Sequence, residues 1–178
     1  MEEWTSHTIR DGRRVTIRPI TPDDADRLVD LYYRLSDTTR RLRFHSMRQN
    51  VPLEETEALA RRLSELDPAN QAALAAVVKE EDEERIVAVA RLSRSADPVE
   101  AESAIVVRDD YQNQGLGSHM LKLLAEVARS LDIERLTAWV MAENLHMLHI
   151  IQKSGLDVEA ETRYGETYIS VAVQKENL

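Results

Sequence analysis

A glycine-containing segment between two apolar stretches carries the clearest chemistry in this 178-residue chain. It runs from Val106 and Val107 through a polar loop to Gly115-Leu116-Gly117, where a long amphipathic helix is predicted to begin. Helix N-termini leave backbone N–H groups unpaired and carry partial positive charge, and glycine lets an anion approach the backbone closely. A strand, a Gly-x-Gly turn and a helix start together predict a phosphate-binding turn.

The spacing of the glycines limits which phosphate ligand this turn would take. A dinucleotide-binding G-x-G-x-x-G motif requires glycine at position 120, where Met120 stands. A P-loop requires G-x-x-x-x-G-K-[ST], and the chain contains no such string. The turn therefore belongs to neither of these nucleotide-binding classes.

The elements that must position the turn follow from hydrophobic periodicity. The strand Glu100–Val107 leads into it, and one apolar face maintained over about four turns predicts a helix from Leu116 to Leu131. A strand over Leu136–Met141 follows, then a helix from Asn144 to Ser154-Gly155, where glycine suits a left-handed C-terminal cap. Strand, helix and strand in succession predict a crossover connection between parallel strands.

The first part of the chain predicts mainly helices. Val15–Ile20, after an Asp11-Gly12 turn, predicts a short strand. Thr21-Pro22-Asp23-Asp24 has the composition of a helix start, with Thr21 as the cap. Another helix is predicted from Pro52 to near Asp67, and Arg40–Met47 is compatible with a short helix.

Strands dominate the middle and the end of the chain. Ala72–Val78 and Ile86–Leu92 flank the acidic segment Glu80–Glu84, which predicts a hairpin with a solvated tip. Two final strands flank Tyr164-Gly165-Glu166. The predicted order β-α-α-β-β-β-α-β-α-β-β is that of an α+β domain with an antiparallel meander before the parallel crossover.

Composition narrows the class of protein. Hydrophobic residues make up 43% and charged residues 31%, which is typical of one folded domain and predicts a single domain over residues 1–178. The absence of cysteine excludes a disulfide scaffold, a thiolate zinc site and a cysteine nucleophile. A net charge of −9 argues against nucleic-acid or membrane partners and favours cations, including amines. The N-terminus has no apolar leader, so a cytoplasmic location is expected.

On these residues the chain resembles the GNAT acetyltransferase superfamily, whose members bind acetyl-CoA. The signature Gln/Arg-x-x-Gly-x-Gly/Ala at a strand–helix junction is matched at Gln112, Gly115 and Gly117, and Asn113 stands where many members have glycine. A second mark, an asparagine followed by a helix ending in Gly-Phe, is matched by Asn144 and by Gly155-Leu156. The resemblance implies a mixed, mostly antiparallel central sheet flanked by helices, with a parallel strand pair splayed at the cofactor site.

The chain is also similar to the acetyltransferase module of bacterial protein-lysine acetyltransferases. This likeness depends on four strings: Ile17-Arg18-Pro19-Ile20 with Asp23-Asp24-Ala25, Leu42-Arg43-Phe44, Ala101-Glu102 before Ala104–Val107, and Asn144–Leu148. It implies direct attack of an amine on acetyl-CoA, with no metal. The acceptor amine stays open between a protein lysine and a small molecule such as a polyamine, an amino acid or an aminoglycoside.

The resemblance also implies roles for individual residues. Glu102 would be the general base, and Glu100, on the same face by strand alternation, is its rival. The resemblance assigns cofactor contacts to three groups: the pantetheine arm to Ile105, Val106 and Val107, the pyrophosphate to Gln112, Asn113, Gln114, Gly115, Leu116, Gly117 and Ser118, and a further contact to Asn144. The position of Asn144 alone predicts a helix N-cap, and both roles are compatible.

One departure from the family pattern bears on catalysis. Many relatives carry a tyrosine that protonates the leaving thiolate, and the register from Asn144 places Ile151 there. Either the thiolate leaves unaided or the chain is a sensor that binds acetyl-CoA without turnover. Tyr164 and Tyr168 are candidates for substrate contact, although a hairpin tyrosine more often packs at the surface. Strand pairing in a homodimer also stays open.

Two clusters of basic residues have a structural and a functional interpretation. His146 and His149 have a spacing that could bind a metal, but without a matching carboxylate, packed or exposed histidines are the expected state. Arg40, Arg41 and Arg43 predict a solvated helix face or salt bridges to the acidic surface. The functional alternative for these arginines is a contact with a CoA phosphate.

Overall fold

The computed structural model describes residues 5–173, so the prediction about an N-terminal leader concerns residues outside the described part of the chain. The strands are β1 (Thr5–Thr8), β2 (Arg14–Pro19), β3 (Gln71–Glu80), β4 (Glu83–Arg94), β5 (Glu100–Val107), β6 (Arg135–Met141), β7 (Asp157–Arg163) and β8 (Glu166–Ala172). They form one sheet in the order β1-β2-β3-β4-β5-β6-β8-β7. Only the β5–β6 pair is parallel among the described strands, which confirms the predicted α+β architecture.

The helices pack in two layers on this sheet. They are α1 (Ala25–Arg34), α2 (Asp37–Phe44), α3 (Leu53–Ser64), α4 (Leu116–Ser130) and α5 (Leu145–Lys153). Residues of α1 and α3 share one buried cluster with Val89 and Val106, whereas α4 and α5 share another with Ile105 and Val107. Successive residues of β5 therefore face opposite layers, as the strand period of two requires. No helix within residues 5–173 is long and apolar enough to cross a membrane.

The chain begins with a hairpin that the sequence only partly predicts. β1 pairs antiparallel with β2 through the Asp11-Gly12 turn, and Gly12 has a φ of 92°. β1 was not predicted because Thr5–Thr8 is short and polar and lies at the sheet edge, so it carries little hydrophobic alternation. The uncertain segment Arg40–Met47 is helical at its start, where it forms the end of α2.

The acidic segment between β3 and β4 is solvated at its tip, as predicted, but its two ends are paired with arginines. Glu81 and Asp82 form the turn, but Glu80 and Glu84 bind buried arginines. Nη2 of Arg108 donates to Oε1 of Glu80 over 2.5 Å, and Nη2 of Arg18 donates to Oε1 of Glu84 over 2.6 Å. Since Arg108 directly follows β5, the Glu80 ion pair fixes the start of the loop that leads to the glycine turn.

Candidate active site

β5 and β6 are parallel for only three residue pairs and then separate. Glu100 pairs with Arg135, Ala101 with Leu136 and Glu102 with Thr137, and no further pair follows. Beyond these pairs, the gap between the strands opens into a cleft of about 350 Å³ that is roofed by α2 and the start of α5. Side chains from Ser103 to Val107 line one wall of this cleft. A splayed parallel pair, as the family resemblance implies, is therefore present.

The free edge of β5 offers backbone groups to the cleft at alternate residues. The N–H of Arg108 donates to the carbonyl of Val87 in β4 over 2.8 Å, so even-numbered residues direct their backbone groups toward β4. Odd-numbered residues consequently direct theirs toward β6, and beyond the last pair Ile105 and Val107 direct theirs into the gap. Val106 lines the cleft but lies opposite Val89 in the β4 ladder. Ile105 and Val107 are thus the two predicted pantetheine residues with backbone groups that face the gap.

The predicted phosphate turn lies at one end of the cleft. Asn113 and Gly115 both adopt left-handed conformations, with φ values of 59° and 82°. The first helical bond of α4 runs from the N–H of His119 to the carbonyl of Gly115, over 3.1 Å. The N–H groups of Leu116, Gly117 and Ser118 therefore have no partner within the helix, which is the condition for binding an anion there.

Gly117 has a packing role besides its place in the signature. A Cβ at this position would lie 2.5 Å from Cδ1 and 3.1 Å from Cγ1 of Ile150 in α5. Ile150 is buried, so its side chain has little room to move away. The absence of a side chain at Gly117 thus lets α5 approach the start of α4.

A basic pocket of about 290 Å³ surrounds this turn, although the chain as a whole is acidic. Arg10, Lys153, His146 and His149 line it together with the turn, and no described carboxylate does. Arg10 is held there because its Nη1 donates to the carbonyl of Asn113 over 3.1 Å. Arg10 was not predicted as a site residue, because the β1–β2 hairpin reaches the turn only through the tertiary fold. Lys153 was not predicted either, because it reaches the pocket only through the packing of α5 against the start of α4.

The loop before α4 is bonded to the roof of the cleft. Oδ1 of Asp109 accepts hydrogen bonds of 2.7 Å from the hydroxyls of Ser36 and Thr39, at the start of α2. Burial would raise the pKa of Asp109, but these bonds outweigh it and lower the pKa below its ordinary value. Nε2 of Gln112 donates to the carbonyl of Val107 over 3.0 Å. The signature glutamine side chain therefore closes the loop onto the end of β5.

The first turn of α5 forms the side of the cleft opposite β5. Oδ1 of Asn144 accepts from the N–H of Met147 over 3.1 Å, so Asn144 caps the helix as predicted, and it also lines the cleft. Ile151 is buried and lines the cleft, so it leaves no hydroxyl at that position. Nε2 of His146 is buried without a hydrogen bond, and burial lowers the pKa of this imidazole, as does the nearby His149. Among the described residues, no three His, Cys, Asp or Glu side chains group together as metal ligands would.

Glu102 lies at the opposite end of the cleft from the phosphate turn. Its side chain lines a second cavity of about 520 Å³ with Arg43, Phe44, His45, Ser103, Ala104, Trp139 and Glu166. Five of these residues, Arg43, His45, Ser103, Ala104 and Trp139, also line the main cleft, so the two cavities adjoin. Glu100 is tied to Arg135, whose Nε donates to its Oε1 over 2.8 Å. Glu102 makes no ion pair within the described residues and is the freer carboxylate.

The three clustered arginines have different surroundings. Arg40 pairs with Asp37, and Arg41 pairs with Glu143 over 2.5 Å, which confirms the predicted salt bridges. Arg43 departs from that prediction, because its Nε is buried and has no hydrogen-bond partner. Burial lowers the pKa of Arg43 to about 10, and the negative charge of Glu102 acts in the opposite direction. Burial and the charge of Arg43 also lower the pKa of neighbouring Arg91 to about 10.

The two hairpin tyrosines also differ from each other in their surroundings. Tyr164 is fully exposed in the β7–β8 turn. The ring of Tyr168 in β8 contacts that of Trp139 in β6 in a tilted arrangement, with ring centroids 5.0 Å apart and planes 53° apart. Only Tyr168 therefore lies beside a residue of the cleft.

The fold, the splayed strand pair and the glycine turn are those of an acetyltransferase domain of the GNAT type. The family model described as "Acetyltransferase (GNAT) domain" matches residues 14–157, and the chain belongs to this family. The GNAT domain of S. lividans PAT superposes with a TM-score of 0.81 at 28% identity, over 95% of this chain and 96% of that one.

Two curated relatives extend this comparison. Acetyltransferase PA5475 of Pseudomonas aeruginosa is 33% identical over 128 residues, which are 72% of this chain and 66% of that protein. Acetyltransferase Pat of Mycolicibacterium smegmatis is 31% identical over 148 residues, which are 83% of this chain and 42% of that protein. The chain thus spans just under two thirds of the first relative and less than half of the second.

Proposed function

We propose that this chain is an acetyl-CoA-dependent N-acetyltransferase that acts on an amine, with the lysine side chain of a protein as the acceptor. The observation that carries the proposal is the continuous path from the basic phosphate pocket through the cleft to Glu102. The names of the PAT and Pat relatives support this direction.

The described residues fit acetyl-CoA along this path. The unpaired N–H groups of Leu116, Gly117 and Ser118, with Arg10 and Lys153 nearby, suit a pyrophosphate. The backbone groups of Ile105 and the N–H of Val107 suit the amides of an extended pantetheine arm, which would pair with β5 as an added strand does. The carbonyl of Val107 accepts from Gln112 instead. Bound acetyl-CoA supplies the activated thioester, and it ends near Glu102 in this arrangement.

The chain's own residues supply the proton transfer and the charge stabilisation that the reaction needs. A lysine amine with a pKa of about 10.4 is nearly all protonated at neutral pH and must lose a proton before it attacks. Oε1 or Oε2 of Glu102 accepts that proton directly or through water, and its charge attracts the ammonium ion. The N–H groups of β5 that face the gap donate to the thioester oxygen as negative charge develops there. The C–S bond of the thioester breaks and CoA leaves as its thiolate. With Ile151 beside the cleft, no tyrosine at that position protonates this thiolate.

The experiment that tests the proposal measures ligand binding and turnover separately. Acetyl-CoA at about 100 times its dissociation constant adds roughly 2.7 kcal/mol to the folded state, which raises the melting temperature by about 5–10 °C in a domain of this size. NAD and ATP serve as controls. Release of the CoA thiol in the presence of a lysine peptide then measures turnover.

The outcomes separate the two functions that the sequence leaves open. A shift with acetyl-CoA and thiol release with the peptide would support the proposed enzyme. A shift without thiol release from any amine would favour the sensor, for which Ile151 is the motivating feature. No shift with acetyl-CoA would contradict both.

A further inference from the structure

One face of the sheet beside Glu102 is only partly covered by helices. Leu136, Val140 and Ile169 of β6 and β8 lie in the core on the side of α4 and α5. The alternate residues, such as Trp139 and Tyr168, face the other side. The end of α2 covers part of that side, because Arg43 and Phe44 share a cavity with Trp139 and Nη1 of Arg41 donates to Sδ of Met141. Trp139 is 53% exposed, and β7 at the sheet edge is exposed along nearly its whole length. An exposed tryptophan with a half-buried tyrosine beside it, next to the cleft, is typical of a contact surface.

Cross-strand register places two unpaired carboxylates in one row on this face. Glu102 pairs with Thr137, Thr137 with Ser170, and Ser170 with Glu159, so these four side chains point to the same side. Neither Glu102 nor Glu159 forms an ion pair with any described residue. In the next row, Trp139 lies opposite Tyr168, and Tyr168 lies opposite Glu161. The row ending in Glu159 is therefore negatively charged and flanked by aromatic rings.

The width of the sheet sets the distance between the two carboxylates. Glu102 and Glu159 are separated by three strand spacings, or about 14 Å at about 4.8 Å each. An extended peptide advances about 3.3 Å per residue, so four residues span about 13 Å. A segment that places one amine at Glu102 would therefore bring a residue four positions away to Glu159.

We propose that this face docks an extended, positively charged segment of the acceptor protein. The acceptor lysine meets Glu102, a second Lys or Arg four residues away meets Glu159, and the chain between them packs along Trp139 and Tyr168. Charge complementarity favours a cationic segment, because the free carboxylates mark both ends of the row. The exposed ring of Trp139 along the path favours a peptide over a small polyamine, because aromatic side chains are enriched at protein–protein interfaces. This inference rests on the proposed function and names the acceptor's local chemistry.

The test compares two peptides of eleven residues with a central lysine, one with arginine four residues away and one with alanine there. For the unmodified chain we expect kcat/KM to be at least tenfold higher with the arginine peptide. Glu159→Lys should abolish this preference mainly through KM. Glu126→Lys makes the same charge change at an exposed position of α4, away from this face, and should preserve the preference for the arginine peptide. Equal kcat/KM for the two peptides, or equal effects of the two variants, would overturn the proposal.

A binding measurement keeps this test independent of turnover. In a Trp4→Phe background Trp139 is the only remaining tryptophan, so its fluorescence reports occupation of the face. We expect the arginine peptide to change this fluorescence with CoA present, and Glu159→Lys to weaken the effect. A peptide that binds in this way without being acetylated would contradict the proposed function and leave the docking face supported. No change in fluorescence with the arginine peptide would overturn the docking proposal. It would also be overturned if spermine were acetylated with a higher kcat/KM than both peptides and if its KM depended on Glu159.

Discussion

Glu102 of β5 and Thr137 of β6 form the last paired residues before the two parallel strands separate. The pair marks the boundary between a sheet closed by backbone hydrogen bonds and a cleft into which the backbone of β5 is free to donate. The carboxylate of Glu102 is therefore anchored on a rigid strand and lies at the entrance of the cleft. In the proposed function, this position sets a carboxylate on a rigid element next to free backbone donors, as direct attack on a thioester requires.

Replacement of the proposed base tests its role in proton transfer. Glu102→Gln keeps the size of the side chain but removes its basicity, so we expect kcat to fall by about 100-fold or more. The melting shift with acetyl-CoA should persist, because the phosphate pocket lies at the other end of the cleft. Glu100→Gln is the matched control, since Glu100 is tied to Arg135. A large loss in Glu100→Gln with normal kcat in Glu102→Gln would make Glu100 the base.

The buried cation beside Glu102 predicts an energetic coupling between the two residues. Arg43→Met replaces a half-buried guanidinium whose Nε is buried without a partner, so we expect stability to rise by about 1 kcal/mol. Glu102→Gln removes the charge that offsets burial of Arg43 and should lower stability in the native background. In the Arg43→Met background that loss should shrink by about 0.5 kcal/mol or more. Urea denaturation of the four proteins measures the coupling, and additive effects would show that the two charges do not interact.

The close approach of α4 and α5 predicts the response to a single added methyl group. Gly117→Ala should destabilise the fold by about 1–3 kcal/mol through contact with Ile150. Ile150→Val removes Cδ1, the atom nearest the added Cβ, and alone should cost about 1 kcal/mol. The double variant should be more stable than the sum of the two losses predicts. Thermal unfolding measures all three variants, and simple additivity would mean that Ile150 is not what excludes a side chain.

A stacked histidine pair predicts loss of stability at mildly acidic pH. His7 of β1 and His119 of α4 lie with ring centroids 3.7 Å apart and planes 8° apart. Burial, and then the charges of His7 and Lys122, hold the pKa of His119 below its ordinary value. The unfolded chain therefore binds a proton more readily, and stability falls as pH drops below about 6.5.

The measurement for this pair is the free energy of unfolding at pH 7.5 and 5.5. His119→Gln removes the titrating group, so we expect a smaller decrease between the two pH values than in the native chain. Part of the decrease should persist, because burial also lowers the pKa of His146. An unchanged decrease in His119→Gln would show that this pair does not set the acid sensitivity.

The sequence by itself determined the local parts of this protein. Local periodicity predicted β5, α4, β6 and α5 nearly to the residue, and the left-handed conformations at Asn113 and Gly115 agree with the residue types found there. The family and its fold also followed from short motifs, since a strand, a glycine turn and a helix start are all contained within about twenty residues. Interactions between neighbours in the chain are enough to specify such features.

Only the tertiary structure decided which distant residues share the site. Arg10 reaches the phosphate turn across more than one hundred residues of sequence, and Arg43 is buried beside Glu102 although its neighbours Arg40 and Arg41 are ion-paired. The alignment of Glu102 with Glu159 depends on three strand pairings. Two of them, β5 with β6 and β6 with β8, join segments that are distant in the sequence. Local propensity carries no information about such contacts, because they arise from long-range pairing and from which face of the sheet the helices leave open.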